Sequence, residues 1–238
     1  MTGVADGGGP AAYRGGLAGP HDAPQPAWVG GIVEAAARLE PTYFSRYLPP
    51  DEGSVESAVL VLFGPGADGE PSLLLIERAH TLRSHAGQIA FPGGRVDPED
   101  VDVVGAALRE AHEEVGLAPE SVTVVGTLPA LFIPVSSYAV TPVVAWWHEP
   151  GPVAVGHPDE VAQVLSVPVS YLVEPAHRHT VVHPSGYRGP AWELGPDLLL
   201  WGFTGGIVDK VLELAGLAQP WDRRREQALP ERFLRGRS

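Results

Sequence analysis

The chain has 238 residues, 44% of them hydrophobic and 19% charged, which supplies the apolar material for one domain with a sizeable buried core. A formal net charge of −13 excludes a general nucleic-acid binder, because counterion release from phosphates requires a basic surface. The absence of cysteine excludes disulfides and thiolate metal sites, so any metal must rest on Asp, Glu, His or backbone oxygens, a donor set for hard cations.

The opening "MTGVADGGGPAAYRGG" lacks the apolar run of a secretory signal, and no window approaches the roughly 18 consecutive apolar residues of a membrane span. The chain therefore reads as soluble and cytoplasmic, with no membrane partner. Residues 1–27, rich in Gly, Ala and Pro, read as a flexible tail, and residues 28–217 as the domain. "WVGGIVEAAARLEP" has helical character. "ESAVLVLF" (56–63) and "SLLLIER" (72–78) are apolar strands joined by a hairpin across "GPGADGEP", and they are expected to form one edge of a sheet.

After "FPGGRVDPED" the period changes to that of a helix. Val104, Ala107, Leu108, Ala111 and Val115 form an apolar stripe over 102–115, Asp100 or Asp102 is placed to cap its start, and Gly116 suits its end. Downstream, "VTVVGTLPALFIP" and "YAVTPVVAWW" read as strands. "PDEVAQVLSVPVSYL" reads as a short helix or turn before a strand, "HTVVHP" and "DLLLWGF" as strands, and "TGGIVDKVLELAGL" as a closing helix. Residues 218–238, with six arginines, read as a solvated or frayed end.

The chemistry concentrates in "REAHEEVG" (109–116). Glu110, Glu113 and Glu114 stand at i, i+3 and i+4, so their carboxylates are expected on one helix face opposite the apolar stripe. Three like charges so close repel, and a divalent cation would convert that repulsion into coordination. Arg109, four residues before Glu113, is placed to orient it. By itself the pattern fits a solvated helix face as well as a metal site. The preceding Gly93 and Gly94 add a turn at which backbone groups can approach a phosphate or a metal.

With those glycines at this spacing, the stretch from Gly94 to Leu117 resembles the signature of the Nudix hydrolases, which cleave diphosphates linked to another moiety. In the family pattern an acid lies six residues after the glycine and eight before the arginine. Here Asp100 lies six after Gly94 and nine before Arg109, Val101 occupies the other count, and Asp100 or Asp102 takes the supporting role. "LLLIERAHTLRSHAGQIAFPGG" is similar to the additional motif of coenzyme A pyrophosphatases, through Arg78, Arg83, Gly87 and Phe91-Pro92-Gly93-Gly94. Two arginines in an otherwise acidic chain suit a phosphorylated ligand. "HPDEVAQVLSVPVSYL" and "WGFTGGIV" resemble later segments of that subfamily, and Glu160 is the candidate further acid.

The resemblance implies an α+β fold of Nudix type, an α/β/α sandwich with a mixed β-sheet. It implies Mg²⁺ or Mn²⁺ held by Glu110, Glu113 and Glu114, catalysis by these residues with Arg109 and Glu160, and substrate binding by Arg78, Arg83, Gly87, Gly93 and Gly94. The substrate is then coenzyme A or a derivative, cleaved to 4′-phosphopantetheine and adenosine 3′,5′-bisphosphate. The resemblance also allows a homodimer. Rival readings are a hydrolase of ADP-ribose, dinucleotides or nucleoside triphosphates, a silent nucleotide-binding module, and a scaffold whose acidic helix is merely solvated. His177, His179 and His183 have a spacing that an ordinary strand also produces, so a zinc site there is the weaker reading.

Overall fold

The apolar run from Val55 to Pro65 is long enough to be buried on both sides, and this decides where it lies. The structure, a computed structural model, describes residues 24–43, 47–50, 53–134 and 136–234. In chain order these form α1 (Ala27–Ala36), β1 (Val55–Pro65), β2 (Pro71–Arg78), β3 (Ile89–Ala90), β4 (Gly93–Arg95), α2 (Val103–Val115), β5 (Val122–Thr127), β6 (Leu131–Ile133), β7 (Tyr138–Trp147) and β8 (Val161–Pro168). They continue with α3 (Val169–Val173), β9 (Arg178–Val182), β10 (Arg188–Gly195), β11 (Leu198–Leu200), α4 (Gly202–Leu214) and β12 (Glu226–Ala228). Most of the expected tail lies at 1–23, outside the described residues.

The larger sheet has eight strands. Its main path is β3-β2-β1-β7-β5, with β8 on β2, β4 on β1 and β6 on β7. β1 and β7 run parallel while its other pairings are antiparallel, so the sheet is mixed. The predicted hairpin is present, with Gly64 opposite Ser72 and Pro65 opposite Pro71. It is not an edge, however. β1 lies between β2 and β7, as a strand apolar on both faces must.

Alternate residues of the central strands divide between two cores. Ala58, Leu60, Leu62, Leu74, Ile76, Val143, Ala145 and Trp147 meet Ala106, Ala107, Ala111 and Val115 of α2 on one face. Val61, Phe63, Leu73, Leu75, Val144 and Trp146 meet α1, α3 and α4 on the other, through Val29, Ile32, Leu172, Ile207, Val208 and Val211. Helices on both faces of a mixed sheet make the expected α/β/α sandwich. Among the described residues no helix is long and apolar enough to cross a membrane.

The segment 158–172 is resolved as a turn, then β8, then the short α3. A second sheet, ordered β11-β10-β9-β12, contains two strands that the pattern does not announce. β10 carries Gly189 and Pro190, which break its apolar alternation. β12 lies in the arginine-rich end, expected to be solvated or frayed. The Arg223, Arg224 and Arg225 residues are indeed exposed, but their backbone is used: Thr180 N–H donates to the Arg225 carbonyl at 2.8 Å, its hydroxyl to the Arg223 carbonyl at 2.8 Å, and β12 pairs in parallel with β9. Arg178, 1% exposed, is stacked between Trp192 and Trp221 at 4.8 and 4.6 Å and paired with Asp209, which fastens this segment to α4. A charged sequence can still supply a strand when its stems point outward.

Candidate active site

The start of α2 divides two acids between two tasks. Asp102 is the N-cap, its Oδ1 accepting from the N–H groups of Val104 at 2.9 Å and Gly105 at 2.8 Å. Asp100 instead faces the guanidinium of Arg109, which donates from Nε to Oδ1 and from Nη2 to Oδ2, each at 2.9 Å. The Asp97 N–H adds a third bond to Asp100 at 2.8 Å. Val101, between the two acids, is 96% exposed, so the residue added to the family spacing is looped into solvent and both acids keep their contacts. Helix α2 ends at Gly116, whose left-handed φ of 71° closes it as expected.

Arg109 is the hub of the site. Beyond Asp100 it donates to the Arg95 carbonyl at 3.0 Å, to Glu110 at 3.1 Å and to Glu113 at 3.3 Å, and it lies 3.5 Å from Asp97. It thus ties β4 to the helix and binds two of the three glutamates. Its bond to Asp100 raises its own pKa, and the same bond holds the Asp100 carboxyl below the usual carboxylate range.

The three glutamates do not share one solvated face. Glu113 is open to water, its side chain 46% exposed, whereas Glu110 is largely covered and Glu114 is only 2% exposed. The apolar stripe is shifted in turn, for Ala106 is buried while Val104 and Leu108 are only partly so. The cause is tertiary: α2 packs against both β1 and β4, and the segment leading to β8 bonds to its last turn, with Gly156 N–H donating to the Glu114 carbonyl at 2.8 Å and Ala154 N–H to that of Val115 at 3.0 Å. Burial pushes the Glu114 carboxyl up to about 8, and the charges of Glu110 and Glu160 add to this; the Gly93 N–H, which donates to its Oε2 at 2.9 Å, and Arg78 oppose it. Burial raises Glu110 too, against Arg109 and with the charges of Glu113 and Glu160.

Glycine is required where the strand turns toward these acids. At Gly93, φ is 151° and a Cβ would lie 2.7 Å from Val59 Cα; at Gly94 a Cβ would lie 2.7 Å from Oε2 of Glu110. Glu160 is exposed at the head of β8, where its carbonyl accepts from Ala79 N–H at 2.7 Å. Its charge acts on both Glu110 and Glu114. Arg78, at the end of β2, acts on Glu114, and its Nε is buried without a partner. The structure therefore gathers Glu110, Glu113, Glu114, Arg109, Gly93, Gly94, Glu160 and Arg78, and it leaves Arg83 exposed on the loop 79–88 that Gly87 closes.

Among the described residues no three acids or imidazoles form a ready metal shell. The donor set nevertheless suits a hard divalent cation: carboxylates only, crowded enough to repel, around a glycine turn that exposes its backbone. Glu113 and Glu110 are neutralised in part by Arg109, whereas Glu114 accepts a hydrogen bond from the Gly93 N–H and is opposed only by the charge of Arg78. The histidines take separate partners instead: His177 Nδ1 lies 3.0 Å from the Tyr171 carbonyl, His183 Nδ1 lies 2.7 Å from Ser185, and His179 is buried.

Sequence reasoning overlooked Asp97, the Arg95 carbonyl and, on β2, Glu77, which is 5% exposed. For Glu77 a signal existed, a carboxylate inside the apolar run "SLLLIER".

A family model described as NUDIX domain matches residues 54–185. The chain is 43% identical over 141 residues to a protein of Cronobacter sakazakii named Uncharacterized Nudix hydrolase NudL, covering 58% of this chain and 72% of that protein. It is 40% identical to the protein of the same name from Escherichia coli O7:K1, with the same coverage. The crystal structure of a Nudix hydrolase from M. Smegmatis, RenU, is similar in fold, with a TM-score of 0.50 and 22% identity over 72% of this chain and 92% of that one.

Proposed function

The chain belongs to the Nudix family of hydrolases, and on that premise we propose that it is a divalent-metal-dependent diphosphate hydrolase acting on coenzyme A or a derivative, with 4′-phosphopantetheine (or its acyl form) and adenosine 3′,5′-bisphosphate as products. The observation that carries the reading is the meeting of Glu110, Glu113 and Glu114 with the turn at Gly93 and Gly94, under the control of Arg109. Glu110, Glu113 and Glu114 would hold Mg²⁺ or Mn²⁺. The ion supplies neutralising charge for the phosphate oxygens and lowers the pKa of water. Arg109 keeps Glu110 and Glu113 in place, and Glu160 or Glu113 orients the attacking water and accepts its proton. Arg78, whose charge acts on Glu114, would neutralise a phosphate oxygen beside it. The substrate choice is supported by Arg78 and Arg83 at opposite ends of a short stretch, suited to a ligand with more than one phosphate.

The test is chromatographic product analysis with coenzyme A, ADP-ribose, NADH, a dinucleotide and nucleoside triphosphates, each with Mg²⁺ or Mn²⁺. Adenosine 3′,5′-bisphosphate released from coenzyme A is the expected product. Cleavage of another diphosphate instead would replace the substrate, and cleavage of none with either metal would leave a binding module or a scaffold.

The two glycines give a paired prediction. Gly93→Ala places a Cβ against the fixed backbone of β1 at a φ that side chains rarely adopt, and is expected to cost about 3 kcal/mol or more of stability. Gly94→Ala meets the end of a side chain, Glu110, and no backbone, so the fold should lose less than about 1 kcal/mol while turnover falls at least about tenfold as that carboxylate is displaced. Thermal melts beside rate measurements check both; equal melting losses would contradict the assignment of Glu110 to the neighbour of Gly94.

A further inference from the structure

The site uses Arg78 but leaves out the residue before it. Glu77 is a carboxylate buried within β2, and a buried charge persists only when it is paired or hydrogen-bonded. It has two partners on opposite sides. Gln163 Nε2 donates to Oε2 at 2.6 Å, and His80 Nε2 lies 3.1 Å from Oε1.

Each partner leads to a part of the proposed machinery. Gln163 lies on β8 beside an irregularity in the pairing: Glu77 is opposite Gln163, whereas Arg78 is opposite Val161, so Ala162 is the extra residue of a bulge. Bulges re-aim the strand next to them, and this one sits two residues from Glu160, whose carbonyl accepts from Ala79 N–H. His80 opens the loop 79–88, which carries Arg83 and is closed at its base by Gly87 N–H to the Arg78 carbonyl at 3.1 Å and Arg78 N–H to the Gln88 carbonyl at 2.9 Å. Gly87 has a φ of 65° and lies against the imidazole, where a Cβ would be 2.9 Å from His80 Nδ1 and 3.8 Å from Glu77 Oε1. The His80 side chain is 71% exposed and adds nothing to the core.

We infer that Glu77 is a positioning residue: through Gln163 it secures the bulge that presents Glu160, and through His80 it holds the loop bearing Arg83 beside the carboxylate site. This rests on the diphosphate hydrolase reading. It adds that the grip of the loop on the substrate is set from inside the sheet, by a residue that touches no substrate.

The test uses the full chain with His80→Ala, His80→Gln and Glu77→Gln, and two readouts: kcat and KM for coenzyme A with Mg²⁺, and the rate of trypsin cleavage after Arg83 without substrate, followed by mass spectrometry. His80→Ala should raise KM about fivefold with kcat within about twofold, and accelerate cleavage after Arg83 about threefold or more, at an unchanged melting temperature. His80→Gln, whose amide still donates to Glu77, should restore most of both. Glu77→Gln weakens both arms, and should lower kcat as well. Wild-type KM and cleavage rate in His80→Ala, or equal impairment by Ala and Gln, would overturn the inference. Should the wild-type protein cleave no diphosphate, the functional reading fails separately, and the cleavage rates alone decide: faster cleavage in the Ala than in the Gln variant keeps the fastening of the loop, and equal rates remove it.

Discussion

Glu114→Gln is expected to lower kcat by about two to three orders of magnitude while the protein melts at the same temperature or slightly higher. The two halves of this result have separate causes. The amide preserves volume and keeps an oxygen to accept the Gly93 N–H, so the junction between β4 and α2 survives. Nothing in the core is opened, because only one atom changes in a side chain that is 2% exposed. What is removed is the capacity to carry a negative charge, which burial and the neighbouring carboxylates disfavour. On the proposed function, this charge is the one a bound cation would compensate. Steady-state kinetics on the best substrate of the panel, with thermal melts in the presence and absence of Mg²⁺, measure both halves. A variant that retains near-normal turnover would remove Glu114 from the mechanism; a variant that loses the fold would make it a structural residue.

Arg109→Ala is the second large effect, and it should reach stability and activity together. Its guanidinium has acceptors on Asp100, Glu110, Glu113 and the Arg95 carbonyl. Removing it leaves the Asp100 side chain, 6% exposed, without its two bonds, and leaves Glu110 and Glu113 repelling each other. The site is partly open to solvent, so the expected loss is about 2 kcal/mol, less than for a sealed ion pair, equivalent to a fall in melting temperature of about 4–8 °C. Turnover should fall about a hundredfold as the glutamates lose their alignment. Arg109→Lys should recover little, because an ammonium cannot reproduce the fork that engages both oxygens of Asp100. A melting temperature within about 1 °C of the parent for Arg109→Ala would show that the network contributes no stability.

Parts of this site are legible in the primary sequence because they are local. The helix 103–115 and its left-handed end at Gly116 depend on neighbours within one turn, and the patterns of period and capping express those neighbours directly. The choice between Asp100 and Asp102 is not local in that sense. It turns on whether Val101 can be looped out, which the strand, the helix and Arg109 decide together. β10 and β12 escape for a related reason: Gly189 and Pro190 interrupt one, the other is three residues with no apolar alternation directly after three arginines, and each is a strand because β9 offers it backbone partners.

From the sequence alone came the family signature, the all-oxygen donor set, the sandwich that the resemblance implied, and the grouping of three glutamates with a glycine turn. These follow from residue type and short spacing, which are written along the chain. Only the tertiary structure decided which glutamate is buried, that β1 is central rather than at an edge, that Arg109 binds Asp100, and that Glu77 joins β8 to the loop 79–88. Each of those depends on what covers a side chain from a distant segment. Glu114 and Glu113 are adjacent in sequence and identical in chemistry, yet one is sealed beneath the Gly93 turn and the other lies in water, because only one of them meets β4.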